Sequence, residues 1–578
     1  MEYIFRIIRK QEGISLFLSN IYTKSSITCY SLKTFSGGVA MLDTPLLVTQ
    51  MVERAETLFP KKMVVSRTST GIQRFTYRQF GERTRKLASV LNKLGVNKGE
   101  RIGTLGWNHH RHLEAYFAIP GIGAVLHTIN IRLSPEQIVY IINHAEDKIL
   151  MIDDDFVPLI EKVKDKLTSV KAFIVMTDQK ELPETSLSPV YSYEELIKDG
   201  DGNFTFVTDL DENAPAGMCY TSATTGNPKG VLYSHRAIVL HSLILGLADT
   251  GAISEQDTVM PIVPMFHVNA WGLPFASVWF GSNIVLPGPF FTPKILVELL
   301  ESEKVTISAG VPTIWLGVAK ELEEGNYDLS HVRAVLCGGS AAPKGLIKTF
   351  EKKFNIPFMH AYGMTETTPL VLAAKLKSEH EDLPEEERYD LKAKQGILVP
   401  GIQMKVIGQN GEVVRDGREM GELCLRGPWI ASEYYKDERT KEAFKDGWLH
   451  TGDVVTIDEH GFVKIVDRTK DLIKSGGEWI SSVDIENALM AHEAVFEAAV
   501  IAVPHEKWQE RPVACVVLKD AYKDKVTKED LLEFLRPQFA KWWLPDEIIF
   551  MDEIPKTSVG KFLKRALRDQ VKGMLSGK

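Results

Sequence analysis

What the chain lacks narrows its class first. Its 578 residues hold only five cysteines (Cys29, Cys219, Cys337, Cys424, Cys515). They are scattered with no CxxC, which argues against a disulfide framework or a zinc site and fits a reducing, cytoplasmic setting. There is no basic excess: 68 Lys and Arg against 76 Asp and Glu give a net charge of −8, which speaks against a nucleic-acid binder. Between Asp257 and Lys294 there is no Asp, Glu, Lys or Arg, yet this run is no membrane span. Pro261, Pro264, Pro274, Pro287, Pro289 and Pro293, with Gly272, Gly281 and Gly288, would break any helix of roughly 20 residues. It reads as buried strand, short helix and strand, and as the wall of an apolar pocket. No internal repeat of fixed period is present.

What is present is long enough for two or more domains. Residues 1–40 differ from the rest, being weakly basic with short apolar runs. A mitochondrial presequence is one reading. The other is an upstream extension of the gene model, because Ser36-Gly37-Gly38 can be encoded by a purine-rich stretch just before Met41. On that expectation Met41 is the start, and an N-terminal mass on native protein decides it.

Helical spacing over Pro45–Phe59 and Tyr77–Leu94, the latter ending at Gly95, alternates with strand-like runs at Arg74–Thr76, Arg101–Leu105 and Lys148–Ile152. The pattern predicts a layered α/β fold with largely parallel strands. The acidic run Ser378–Glu387 reads as a solvated surface helix or loop. From Gly396 to Gly427 short β segments with Gly-rich turns predict a β subdomain. A polar stretch at Val466–Lys470 then leads to a small α+β domain, with helices at Ser482–Met490 and Lys528–Phe539 and strands at Ala498–Val503 and Ala514–Leu518.

The segment with most chemistry is Tyr220–Gly230, YTSATTGNPKG. A strand runs into Thr221, Ser222, Thr224, Thr225 and Gly226, then Lys229. Small residues let backbone N–H groups turn onto phosphate, hydroxyls add donors and the lysine adds charge. No GxxxxGK[ST] spacing passes through Lys229, so it is not a Walker A loop. Five further segments follow: Gly338–Pro343 (GGSAAP), His360–Glu366 (HAYGMTE), Thr451–Asp453 (TGD), Asp467–Glu478 (DRTKDLIKSGGE) and Pro555–Lys561 (PKTSVGK).

Six such segments in this order resemble the adenylate-forming superfamily, which includes acyl-CoA synthetases, luciferases and peptide-synthetase adenylation domains. The resemblance covers roughly Thr44 to Leu567. It implies an N-terminal AMP-binding domain at 41–466 and a small mobile C-terminal domain at 467–578, hinged at Asp467. Within the family the chain is most similar to bacterial long- and medium-chain fatty-acyl-CoA synthetases. The function implied is ATP-dependent: a fatty acid becomes an acyl-adenylate, and the acyl group then passes to coenzyme A.

The resemblance also implies residue roles. Thr221, Ser222, Thr224, Thr225, Gly226 and Lys229 hold phosphates. Gly339, Ser340, Ala341, His360, Ala361, Tyr362, Gly363 and Thr365 form the adenine side, with Tyr362 stacking on the base. Asp453 accepts from ribose hydroxyls, and Arg468, Lys470, Lys474 and Trp479 contact the nucleotide. Thr221 and Glu366 hold Mg²⁺, for which hard oxygen donors are suited. Lys561 stabilises charge where carboxylate meets α-phosphate. Lys474, Ser475, Gly476, Gly477 and Glu478 line the coenzyme A path after a domain swing. Val263–Trp271 resembles the substrate-side motif, with His267, Val268 and Trp271 facing the acyl chain. A homodimer is implied by the subgroup, and peripheral membrane contact is prompted by a lipid substrate.

Two departures from the family pattern stand out. Ala223 replaces a usual glycine, which costs about 1 kcal/mol if that position needs φ > 0. His360-Ala361 stands where Gln-Gly is common, which puts a titratable ring near the adenine. Four rivals remain: a synthetase for a short or aromatic acid, a peptide-synthetase adenylation domain, a luciferase-like oxygenase, and a non-catalytic nucleotide or fatty-acid sensor on the same fold. Phe266–Trp271 offers no carboxylate for a substrate amine, against the second; retained Lys561 and Glu366 argue against the fourth.

Overall fold

Apolar runs without alternation, such as Ile149–Asp153 and Ala172–Met176, form strands buried along their whole length in the computed structural model. Strands covered by helices on both faces require such runs. The structure describes residues 42–221, 227–408, 410–469, 471–475, 478–523, 525–556 and 562–576, with Glu478, Leu575 and Ser576 as backbone alone. The expected extension at 1–40, Ser222, Ala223, Thr224, Thr225, Gly226, Lys470, Gly476, Gly477 and Lys561 lie outside the described residues.

Pro45–Lys578 make one compact unit, and the described residues in it form four sheets. The first has seven strands, from Val190–Ser192 at one edge through Ala172–Met176, Ile149–Asp153, Arg101–Leu105, Val125–Thr128 and Pro215–Tyr220 to Gly230–Ser234. Its pairs are parallel except the last, where Pro215–Tyr220 meets Gly230–Ser234 antiparallel. The second has nine strands; Phe358–Gly363, Ala334–Cys337, Ile307–Gly310, Thr258–Pro261, Asn283–Leu286 and Met63–Thr68 pair in parallel, in that order. Helices cover both sheets. Tyr77–Lys93 starts with a reciprocal Thr76–Gln79 cap and the chain leaves it through Gly95 at φ +80°, which a Cβ would penalise.

The β subdomain expected over Gly396–Gly427 extends further, as a six-stranded, antiparallel sheet between Gln403 and Arg468 that also takes in Phe444–Lys445, Trp448–Ile457 and Val463–Arg468. A fourth sheet of five strands, spanning Ile473–Phe550, carries the C-terminal helices Ser482–Met490, Lys528–Leu535 and Lys564–Ser576. Asp467 lies near the end of the strand Val463–Arg468, between these last two sheets. The acidic run is a surface element as expected, but not simply solvated: Glu386 pairs with Lys348 at 2.6 Å and Lys344 at 3.0 Å.

The uncharged stretch after Asp257 folds as strand Thr258–Pro261, helix Leu273–Phe280 and strand Asn283–Leu286. Among the described residues no helix is long and apolar enough to cross a membrane. One feature there departs from the expected right-handed helix. Val268, Asn269, Ala270, Trp271 and Gly272 all have positive φ (45°, 51°, 49°, 58° and 77°), a left-handed turn that L-residues enter at a cost of about 1–2 kcal/mol each.

Candidate active site

Parallel α/β sheets place ligands outside the carboxyl ends of their strands. A cavity of about 880 Å³ opens there. Thr221 follows the strand Pro215–Tyr220, Gly338 follows Ala334–Cys337, and His360–Gly363 end Phe358–Gly363; all line it. The β subdomain adds Thr451–Asp453, and the C-terminal part adds Phe562–Arg565 and Arg568. Five segments spread between Thr221 and Arg568 therefore meet on one space.

The phosphate-loop mouth is pinched shut by two bonds. The Thr221 N–H donates to the Lys229 carbonyl at 2.9 Å, and the Lys229 N–H to Thr221 Oγ1 at 3.2 Å. Lys229 Nζ donates to the Tyr434 hydroxyl at 2.8 Å, lies 4.0 Å from the centre of its ring and stands 4.0 Å from Glu366 Oε1. The Tyr434 hydroxyl in turn donates to Glu366 Oε1 at 2.6 Å. Burial pushes the Lys229 ammonium below its ordinary range, while Glu366 resists that shift. Burial and then the Glu366 carboxylate push the Tyr434 phenol well up, so it stays a proton donor. Tyr434 has no sequence motif around it, and the reading of residues alone passed over it.

A second triad stands opposite. The Tyr362 hydroxyl donates to Asp453 Oδ2 at 2.5 Å, and Arg468 Nε lies 3.0 Å from Oδ1. The Asp453 charge holds the guanidinium pKa above its ordinary value. Asp453 itself is buried at 3% exposure, so its two oxygens are fixed in direction. Tyr362 is thus tied to the carboxylate by its hydroxyl, and only its ring face is available for stacking.

His360 proves to be a tie between loops. Its Nδ1 faces the Lys394 carbonyl at 2.9 Å and its Nε2 the Ser340 carbonyl at 3.3 Å. Burial lowers its pKa against these carbonyls. It lines the cavity with Gly339, Ser340, Ala341, Ala361, Gly363 and Thr365, but as a brace for the Ser340 loop. Thr365 is held from behind, its carbonyl accepting from the buried Tyr233 hydroxyl at 2.8 Å.

Part of the lining is apolar. Leu245, Leu273, Leu336 and Leu370 pack in one cluster with Met359 and Trp271, and Leu316, His267 and Val268 line the cavity as well. The Trp271 indole packs on Gly338, where a Cβ would sit 3.3 Å from the ring and 2.9 Å from the Ala361 carbonyl oxygen. No side chain fits at 338 without moving one of them. The left-handed turn at 268–272 is what aims Trp271 at this wall.

Two assignments from the sequence are corrected. Lys474 and Trp479, expected at the nucleotide, do not line the cavity. They are cross-strand partners in the hairpin Ile473–Ile480, with the Lys474 ammonium 4.7 Å from the Trp479 ring centre. That hairpin joins the C-terminal sheet through Ser475 opposite Gln509, and Arg511 donates to Ser475 Oγ at 3.0 Å. Cross-strand pairing and the cation–π contact tie the two side chains to each other, and Trp479 packs on Val454, Val466 and Leu472.

Asp467 is buried at 3% exposure, and its oxygens accept from the Arg468 N–H at 2.8 Å and the Ser482 N–H at 3.1 Å. Lys564 contacts the Ser482 hydroxyl and pairs with Glu486 at 2.7 Å, and Arg568 pairs with Asp471 at 2.6 Å. Burial raises the Glu486 pKa, against the pull of Lys564. The sequence had singled out Asp467, but its partners Ser482, Glu486, Lys564 and Arg568 are ordinary helix residues that no motif marks.

The chain matches two family models: AMP-binding enzyme over residues 52–435 and AMP-binding enzyme C-terminal domain over 484–561. It is 51% identical to a long-chain-fatty-acid–CoA ligase of Thermus thermophilus, over 93% of this chain and 98% of the other. It is 42% identical to a medium-chain-fatty-acid–CoA ligase of Ectopseudomonas oleovorans, over 92% and 97%. Its fold is similar to that of the anthranilate CoA ligase AuaEII in complex with anthranoyl-AMP, with a TM-score of 0.82, 25% identity and coverage of 92% and 99%.

Proposed function

The chain belongs to the AMP-binding enzyme family, and we propose that it is a fatty-acyl-CoA synthetase whose two half-reactions share the cavity described above. In the first, a carboxylate oxygen attacks the α-phosphorus of ATP, and pyrophosphate leaves. In the second, the coenzyme A sulfur attacks the acyl carbonyl, AMP leaves and the thiol proton is released. One observation carries the reading: the Lys229–Tyr434–Glu366 triad, the Tyr362–Asp453–Arg468 triad and an apolar cluster with Trp271 line a single cavity.

Each group has a task that its surroundings suit. Lys229 puts a partly desolvated positive charge where phosphates lie, and fixed charge counts for more in a water-poor site. Asp453, oriented by Tyr362 and Arg468, accepts from ribose hydroxyls, a use of carboxylates also made at dinucleotide sites. Lys561 supplies the positive charge at the reacting α-phosphate, and its neighbours Phe562–Lys564 line the same cavity. Thr221 and Glu366 offer a hydroxyl and a 4%-exposed carboxylate, both hard oxygen donors on the cavity wall, and that donor set fits Mg²⁺. Bound there, the ion would neutralise phosphate charge.

The apolar lining favours a fatty acid over a polar one. Each buried methylene adds about 0.8 kcal/mol, so neighbouring chain lengths are separated only modestly. After adenylation the C-terminal part swings about Asp467, taking Lys561 out and bringing the Lys474–Glu478 hairpin in along the pantetheine path. The position of Lys474 and Trp479 outside the cleft supports this: they belong to the second arrangement. A cytoplasmic homodimer with peripheral membrane contact completes the proposal, supported by the scattered free cysteines and the lipid substrate.

The test is acid-dependent ATP–pyrophosphate exchange across short, medium, long and aromatic acids. Exchange that rises with chain length supports the proposal. Highest exchange with an aromatic acid replaces the substrate, and no acid-dependent exchange leaves a sensor.

A further inference from the structure

Three different metal-binding side chains meet on one face of the antiparallel pair Gly421–Arg426 and Trp448–Ile457. Cys424 and His450 are direct partners across the pair, and the register shifts between Glu422 and Cys424. That bulge lets both side chains of the first strand converge on the histidine. His450 Nδ1 stands 2.8 Å from Glu422 Oε2 and 3.5 Å from Cys424 Sγ, and the three ligand atoms all lie within 4.8 Å of one another. Tetrahedral zinc, with bonds of about 2.3 Å to sulfur and about 2.05 Å to nitrogen, sets those two atoms about 3.6 Å apart. The Cys424 sulfur and His450 nitrogen already have this spacing, and Glu422 Oε2, hydrogen-bonded to that nitrogen, would move back slightly to admit the ion.

Its surroundings suit an ion as well. Cys424 is fully buried, whereas Glu422 and His450 line the cavity. A bound ion would have sulfur behind it and an open side in front. Glu422 Oε1 accepts the Gly452 N–H at 3.1 Å, which leaves Oε2 turned toward the histidine, as outer contacts orient metal ligands elsewhere. Lys405, the partner of Cys424 on its other side, carries its ammonium 4.7 Å from the Trp448 ring centre, so its charge is engaged there. Without an ion His450 Nδ1 donates to Glu422, and binding would release that proton. A second cluster, Glu379, His380 and His460, offers no sulfur and rests on an exposed carboxylate.

We propose that Glu422, Cys424 and His450 form a site for one thiophilic divalent cation such as Zn²⁺, with its fourth position open to the cavity. Sulfur ligation sets the class, since Mg²⁺ and Ca²⁺ take oxygen donors. The site is separate from the oxygen-donor pair Thr221 and Glu366. The absence of a CxxC pointed away from zinc because spacing rules detect ligands close in sequence, while this set is assembled across a sheet.

The experiment titrates chelator-treated, full-length protein with Zn²⁺ against a competing chromophoric chelator, without nucleotide. One equivalent should bind per chain. Cys424→Ser should weaken it at least about tenfold, since even outer contacts of a metal site are worth 10–100-fold. His450→Gln should do the same, and His460→Ala should change nothing. Co²⁺ in the wild type should give a thiolate-to-metal charge-transfer band, absent in Cys424→Ser. Unchanged melting and pyrophosphate exchange in Cys424→Ser certify its fold; should it misfold, His450→Gln and the Co²⁺ band decide. No stoichiometric binding, equal affinity in the variants, or a cobalt complex without the band overturns the proposal.

Discussion

The two walls of the cavity are built on different plans. The wall formed by the large domain is stitched to itself: Lys229, Tyr434 and Glu366 bond one another, as do Tyr362, Asp453 and Arg468. Tyr362 and Arg468 sit at strand ends, Asp453 within a strand and Lys229 just before one, so sheet register fixes much of this wall. In the opposite wall the helices Ser482–Met490 and Lys564–Ser576 are tied to each other by Lys564 on Glu486, and to the strand Val463–Arg468 and the residues after it by Ser482 on Asp467, Asp484 on Lys464 and Arg568 on Asp471. Under the proposed swing this asymmetry has a use: one wall would keep its shape while the other moved as a body.

The sharpest break of that contrast is Lys561→Ala. A positioned charge of this kind is worth about 10²–10³ in rate, so adenylation should fall by that much. Thioesterification of supplied acyl-adenylate should persist, because the lysine belongs to the wall that has then swung away. Equal loss of both half-reactions, read by pyrophosphate exchange and by acyl-CoA formation, would mean that the two walls do not alternate. Next in size is Glu486→Gln. Removing one partner of a buried ion pair costs about 3–5 kcal/mol, and Glu486 and Lys564 are 8% and 12% exposed. Urea unfolding followed by the tryptophans at 508, 542 and 543 should show the C-terminal part melting first. A loss under about 1 kcal/mol would place the anchor elsewhere.

How much of this could be read without coordinates follows the same division. Strand runs, caps and the β subdomain were legible because local pattern decides them: Ser482–Met490 and the strand at Arg101–Leu105 fall where the periodicity puts them. Six ordered motifs located the cavity residues Thr221, Lys229, Glu366 and Asp453. The rest depended on pairing across the sheets. Tyr434 acts only because its strand-free segment runs beside the Lys229 loop, its neighbour Tyr435 donating its N–H to the Gly230 carbonyl at 2.8 Å. The left-handed turn at Val268–Gly272 has a single glycine, so no local signal announced it. Lys474 and Trp479 were assigned to the nucleotide by the resemblance of their motif, whereas cross-strand pairing in the hairpin sets where they lie.

A smaller effect tests the rigid wall from inside. Tyr434→Phe keeps the ring under Lys229 but removes the hydroxyl that links it to Glu366. Hydrogen bonds to charged groups contribute about 1.5–3 kcal/mol, so kcat/KM for ATP should fall about ten- to a hundredfold. Thioesterification of supplied adenylate should change little. A fall shared equally by both half-reactions would make Tyr434 a general support of the fold.

The smallest effect concerns acid. Burial pushes His110 and His241 down to about 3 and His112 and His235 down to about 4, and all four belong to the large domain. An unfolded histidine titrates near 6.5. Between that value and the depressed folded one, the unfolded chain binds protons that the folded chain does not. Stability is therefore fully present above about pH 6.5 and is lost as pH falls toward 4, at about 1.4 kcal/mol per pH unit for each such residue. His241 is the cleanest to remove, since its Nε2 accepts only the Leu370 N–H at 3.1 Å, a bond that a glutamine carbonyl can replace. Denaturant midpoints of His241→Gln at pH 7, 6 and 5.5 should show a slope shallower than wild type by one such increment. An unchanged slope would mean that His241 takes up its proton without unfolding, and that the wall behind the acyl pocket yields to charge more readily than its packing implies.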